Sequence, residues 1–272
     1  MKLGSLNINN LKLGSNQVKK VFSGSNLVWE SFDLDYQDVL DYMFSQGYSL
    51  PSYEQRIKQN QLVLDLKSGG IWDKLDTLAV FATDGGVNSA LVDWKRLTQY
   101  TAVNSPTFTV NQGFTGNGTS SFVDTNLNPN TAVGDFNFKL NDASFGVYIK
   151  NSPTINTFVF GSYADTIRMR NGSSNAQRVN SGDLSSGVAF QGIGLRSSNK
   201  TTSTDYVGFA DLTRFDRTYA VSSNTNSNFL ILSAVNNSLF SNATISLAYT
   251  GSSLVSEHTD LYNAINNYMS SL

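Results

Sequence analysis

The chain has 272 residues, 40% of them hydrophobic and 12% aromatic, which is ample material for a core and excludes a disordered polymer. Only 15% are charged and the formal net charge is −2, so there is no basic excess of the kind that displaces counterions from nucleic acid. There is no cysteine, no apolar run approaching about 18 residues and no apolar leader in MKLGSLNINN, so disulfides, a membrane span and a signal peptide are not expected.

Residues 1–31 carry a ten-residue repeat. Gly4-Ser5, Gly14-Ser15 and Gly24-Ser25 recur, each followed at a fixed distance by Ile8, Val18 and Val28. Alternating strand residues lie between them, which predicts short strands joined by Gly-Ser-Asn turns. Hairpins of this size cannot bury a core of their own, so the arm must rest on something. Lys2, Lys12, Lys19 and Lys20 stand against Glu30 alone. Two accounts fit: a solvated edge guarded by lysines, or a docking arm in which Val21, Phe22, Val28 and Trp29 contact another chain.

A helix follows, with Asp33 and Asp35 at its positive end and Tyr36, Val39, Leu40 and Met43 on one face. Gly47 suits its C-terminal cap. Ser52 and Gln55 form a capping-box pattern for a second helix to about Lys67, with Ile57 and Leu64 on its expected buried side. Residues 78–82, Leu-Ala-Val-Phe-Ala, predict a strand buried on both faces. Trp72 and Trp94 could stack on a sugar, but core packing is the plainer account.

From Asn104 the chain reads as many short strands. The stretch 104–130, NSPTFTVNQGFTGNGTSSFVDTNLNPN, offers hydroxyls, amides and aromatic faces, with Asp124 its only charge. Asn117-Gly118 predicts a type I′ hairpin turn. Further strands are expected at 143–149, 157–160, 166–170, 188–195, 206–209, 229–233 and 244–250, with a turn cluster at 197–204. Phe145, Val147 and Ile149 should share the core face of theirs. Ser256 is the expected cap of a last helix, whose apolar face is Leu261, Ala264, Ile265 and Tyr268. These elements predict a mainly β protein: an antiparallel jelly-roll sandwich with an N-terminal hairpin arm, a two-helix segment and a C-terminal helix. The expected units are the arm at 1–31, a mixed segment at 32–103 and the jelly roll at 104–272.

The segments 46–55 (QGYSLPSYEQ), 66–86 (LKSGGIWDKLDTLAVFATDGG), 104–130 and 141–149 (NDASFGVYI) together resemble a group of bacteriophage virion proteins. Those proteins carry a concanavalin A-like, laminin-G-like jelly roll ending in a short helix, and the resemblance covers about 33–272. It implies a non-enzymatic structural component of a tail, fibre or capsid decoration. Such a protein is made in the bacterial host cytoplasm and present in several copies in the virion. Other virion proteins are its implied partners, and a host-surface glycan a further one. The alternative is a free carbohydrate-binding module or an inactive glycosidase-like protein.

Chemistry on this sequence is sparse. Retaining glucanases on this type of sandwich use paired glutamates, and Glu30, Glu54 and Glu257 lie outside the predicted sandwich strands. An aspartate pair is conceivable, Asp211 with Asp216 for instance, but a turn and a solvated edge explain both at least as well. The single histidine, His258, falls on a predicted surface helix, a poor setting for a triad. One histidine cannot build a zinc site. Gly192-Ile193-Gly194 falls in a predicted strand, not before a helix, so it is no phosphate loop. No cofactor is expected. Calcium could be held by oxygens at 84–88 or 137–142, where ordinary Asx turns are the competing account.

Overall fold

The computed structural model describes the chain except residues 1, 4–5, 8–11, 14–15, 19, 24–25, 132–135, 156, 163–166, 172–176, 181–191, 219, 221–225 and 235–238. For the strand residues of 2–30, 167–171 and 177–178 it describes the backbone alone.

The arm contains β1 (Lys2–Leu3), β2 (Leu6–Asn7), β3 (Lys12–Leu13), β4 (Asn16–Gln17), β5 (Lys20–Ser23) and β6 (Asn26–Glu30). They form three antiparallel hairpins whose closing pairs are Leu3 with Leu6, Leu13 with Asn16 and Ser23 with Asn26. Each closing pair brackets one Gly-Ser dipeptide, so the ten-residue repeat is a repeat of hairpins. In the last of them Val21 pairs with Trp29. The side chains of Val21, Phe22, Val28 and Trp29 lie outside the described residues.

Helices α1 (Leu34–Ser45) and α2 (Tyr53–Ser68) follow. The Asp33 carboxylate accepts from Asp35 N, and Ser52 Oγ accepts from Gln55 N, so both expected N-termini form. Strand β7 (Leu75–Val80) comes next, then α3 (Val87–Ala90), β8 (Val92–Asp93), β9 (Thr98–Gln99) and β10 (Thr101–Val103). The 104–130 stretch supplies β11 (Thr107–Thr109), β12 (Gly113–Thr115) and β13 (Phe122–Asp124). After it come β14 (Ala143–Asn151), β15 (Thr157–Ser162), β16 (Ile167–Asn171), β17 (Gln177–Val179), β18 (Gly194–Lys200), β19 (Asp205–Ala210) and β20 (Thr213–Thr218). The chain closes with β21 (Phe229–Ile231), β22 (Thr244–Gly251) and α4 (His258–Ser270).

Among the described residues, a ten-stranded sheet runs β20-β19-β18-β14-β22-β7-β8-β9, with β12 also on β22 and β11 on β12. A six-stranded sheet runs β10-β13-β21-β15-β16-β17. All pairings are antiparallel, and strands far apart in sequence lie side by side, as in a jelly roll. The apolar face between the sheets holds Phe81, Phe114, Phe145, Val147, Ile149, Phe160 and Phe229. The other face of the larger sheet is covered by α1, α2 and α4 through Tyr36, Leu62, Leu66, Leu247, Tyr249, Leu261 and Ile265. Strand β7 therefore has two buried faces: Ala79 points into the sandwich, and Leu78 and Val80 into the helical layer. Phe145, Val147 and Ile149 take the core face expected of them.

Several local expectations are corrected. Asn117-Gly118 closes no hairpin, because β12 pairs with β22 while β13 pairs with β10 and β21. The loop instead crosses from one sheet to the other, and Asn117 Oδ1 accepts from Thr119, Ser120 and Ser121 N. Ile57 and Leu64 are 40% exposed, and the buried side of α2 carries Gln55 and Gln59 with Leu62, Val63 and Leu66. Those amides are buried because they are satisfied. Tyr36 Oη donates to Gln59 Oε1 at 2.6 Å, and Gln55 donates to Tyr268 Oη at 2.6 Å. Tyr268 in turn donates to Ala82 O at 2.6 Å.

Residues 197–200, read as part of a turn, are the buried end of β18. Ser198 bonds Tyr206 Oη, Asn199 Oδ1 accepts Leu254 N, and Lys200 donates to Asp205 O, so burial leaves their polar atoms engaged. Gly192 and Gly194 have φ of 95° and 110°; Gly192 lies in the bend before β18 and Gly194 is its first residue, so the strand expected at 188–195 runs on from 194 to 200. The 188–191 part of that expectation lies outside the described residues. The N-cap of α4 is Glu257, not Ser256, with no side-chain cap.

Candidate functional site: a groove at one end of the sandwich

Three loops that are distant in sequence meet beside the edge of the six-stranded sheet. They are the β8–β9 turn, the segment after β13, and the residues before β21. Together with Phe136 they form an open groove of about 470 Å³ lined by Arg96, Thr98, Asn126, Leu127, Asn128, Thr131, Phe136 and Asn228.

Each wall has a physical anchor. Asp124, at the end of β13, accepts from Asn126 N at 2.8 Å and from Asn228 Nδ2 at 2.9 Å, tying two of the loops together. Asn126 takes φ of 55°, a left-handed conformation that Asn tolerates, and its amide donates to Gln99 O and Thr101 Oγ1. Asn128 Oδ1 accepts from Asn130 N, and its Nδ2 donates to Asn226 Oδ1. Phe136 packs on the sandwich core, and the segment after it is fixed by Asp76, whose two oxygens accept Asn137 N and Phe138 N at 2.7 Å.

Arg96 is set by the turn beneath it. Asp93 is fully buried, and its Oδ1 accepts from Leu78 N, Lys95 N and Arg96 N while Tyr100 Oη donates to its Oδ2. Burial pushes the Asp93 carboxyl up to about 6, against the pull of those amides and of Arg96. The Arg96 side chain is 26% exposed, with Nη1 4.0 Å from Asp93 Oδ2 and 3.5 Å from Thr125 O.

Chemically, the groove offers amide and hydroxyl groups, one guanidinium and one aromatic wall. Convergent polar groups beside an aromatic face suit a polyhydroxylated ring, with hydroxyls meeting amides and the apolar ring face meeting Phe136. No carboxylate is among the described lining residues.

The other singled-out residues lie elsewhere. Trp72 and Trp94 are buried, and Lys95 Nζ sits 4.3 Å from the Trp72 ring, so they form no exposed sugar platform. His258 is buried, not on the surface. Its ring stacks on Phe209 at 3.6 Å, and burial pushes its pKa down. Its Nε2 donates to Asp211 O at 2.6 Å, which fixes the tautomer and leaves Nδ1 to accept from Ser197 Oγ. Asp211 accepts Leu195 N and pairs with Arg196, while Asp216 pairs with Arg214 on the exposed edge strand β20. In the 137–142 turn, Asp142 Oδ1 accepts Ser253 N; in the 84–88 turn, Asp84 Oδ1 accepts Ser52 N. The 126–128 side of the groove falls in the amide-rich stretch that stood out in the sequence. Arg96, Thr98 and Asn228 carried no local signal, because only the strand order brings them there.

No family model and no curated protein matches the chain. Among solved structures it is similar to a Trypanosoma rangeli sialidase in complex with sialic acid, with TM-score 0.51 and 12% identity, over 77% of this chain and 39% of that one. It is also similar to the botulinum neurotoxin serotype D binding domain, with TM-score 0.50 and 8% identity, over 72% of this chain and 53% of that one. The architecture is a lectin-like β-sandwich. At such identities the likeness extends to the fold alone, and the chain spans about half or less of either neighbour's length.

Proposed function

We propose that the chain is a non-catalytic virion protein that displays a glycan-binding sandwich, with the hairpin arm attaching it to the particle through Val21, Phe22, Val28 and Trp29. The observation that carries the binding half is the groove, whose amides, hydroxyls, guanidinium and Phe136 converge on one ring-sized space. The lectin-like fold supports the same reading. Binding without turnover is supported by the groove lining, which holds no carboxylate among the described residues, since glycoside hydrolysis places two acids across the bond. The attachment half is supported by the repeated hairpins, which among the described residues pair only within themselves, and the virion setting by the sequence resemblance over 33–272.

The test is a host-polysaccharide binding assay with the pure protein, read alongside reducing-end release. The wild type should bind and release nothing. Asn228→Ala should bind about tenfold more weakly, having lost an amide bond at the groove. Reducing ends that vanish on a single Asp→Asn change would overturn the non-catalytic reading.

A further inference from the structure

The groove contains one charged side chain among the described residues, Arg96, and it is a cation with spare donors. A guanidinium carries five N–H donors in a planar fork. Here Nη1 makes one long contact to Thr125 O at 3.5 Å, and its approach to Asp93 Oδ2, at 4.0 Å, is too long for a hydrogen bond. Asp93 is a charge neighbour of Arg96 but not a hydrogen-bond partner; its oxygens accept from three backbone amides and the Tyr100 hydroxyl. Among the described residues the other nearby acid, Asp124, is engaged by Asn126 N and Asn228 Nδ2. The Thr98 and Thr131 hydroxyls and Asn228 Oδ1, which line the same groove, have no partner among the described residues and are left to meet ring hydroxyls.

We infer that the groove selects glycans bearing a carboxylate, uronic acids being the simplest class, with Arg96 as the specificity-determining residue. This rests on the groove being a glycan site. A planar carboxylate matches the guanidinium fork in two parallel bonds, whereas a neutral hydroxymethyl at the same ring position can use only one. The Thr and Asn groups would then hold the neighbouring ring hydroxyls, and Phe136 the ring's apolar face.

The experiment titrates the full chain with oligogalacturonate and with the same oligosaccharide after carboxyl reduction. Wild type is expected to bind the acidic form about ten- to a hundredfold more tightly, the range for a charge-assisted pair. Arg96→Gln should bring that ratio close to one, weakening the acidic form much more than the reduced form, which has a single bond to lose. Arg96→Lys, which keeps the charge without the fork, should fall between. Thermal melts verify that the variants fold, and the wild-type ratio needs no variant at all. Equal wild-type affinities that both fall in Asn228→Ala would overturn the carboxylate inference and leave the groove standing. A ratio that persists in folded Arg96→Gln would remove Arg96 from the role. Binding of neither form would contradict the inference and the groove reading together.

Discussion

Asp93 shows how a single buried group reports on its surroundings. Its carboxyl titrates near 6 in the folded chain, against 3.8 for the ordinary group, because burial penalises the charge. The folded state therefore holds a proton that the unfolded chain has released between those two values. The stabilisation from protonated Asp93 is complete below about pH 4 and is lost as pH rises through about 6, amounting to roughly 3 kcal/mol. Asp93→Asn should flatten that window. Urea unfolding of both proteins at pH 4 to 7 measures it, and parallel pH profiles would contradict the assignment. Phe145 is a simpler case, with no exposed area and its ring centroid 5.3 Å from that of Phe160. Phe145→Ala should cost about 3–5 kcal/mol by the same unfolding measurement. A loss under about 1 kcal/mol would mean that the alternation of β14 faces the other way.

Strands and helices differed in how legible they were. The Leu-Ala-Val-Phe-Ala run announced a strand with two buried faces, since nothing polar interrupts it, and β7 lies between both cores. The capping pattern at Ser52 likewise placed the start of α2. The buried face of α2 was not legible, because Gln55 and Gln59 are satisfied in the core by partners from other elements, Tyr36, Thr83 and, over 200 positions away on the neighbouring α4, Tyr268. For the same reason the Ser-Ser-Asn-Lys end of β18 looked like a turn. Local polarity is a poor guide where the sheet supplies hydrogen bonds. Close strand approach is also invisible in sequence. Gly113 has φ of 105°, and a Cβ there would sit 2.1 Å from Ile245 O, across the β12–β22 pairing. Gly113→Ala should cost about 3 kcal/mol or more, combining backbone strain with a clash, and thermal unfolding checks it. A melting point unchanged from wild type would mean that β12 does not dock on β22 this way.

For the molecule as a whole, the sandwich and its helical layer build both cores from Tyr36 onward among the described residues, while the arm's ladders close on themselves. A fragment of residues 32–272 is thus expected to fold with nearly unchanged stability yet fail to join particles. Normal incorporation of the fragment, or its failure to fold, would contradict a docking role for the arm. The fold class was readable from the spacing of short strands, but the groove was not. Its walls come from 96–98, 126–131, 136 and 228, and only the jelly-roll strand order brings those loops together. The claim that matters most is that this end of the sandwich holds a sugar. Backbone amide NMR during titration with oligogalacturonate tests it most directly. Shifts concentrated at 96–98, 125–131 and 226–228 are the predicted result; saturable shifts confined to another face, or none at all, would contradict it.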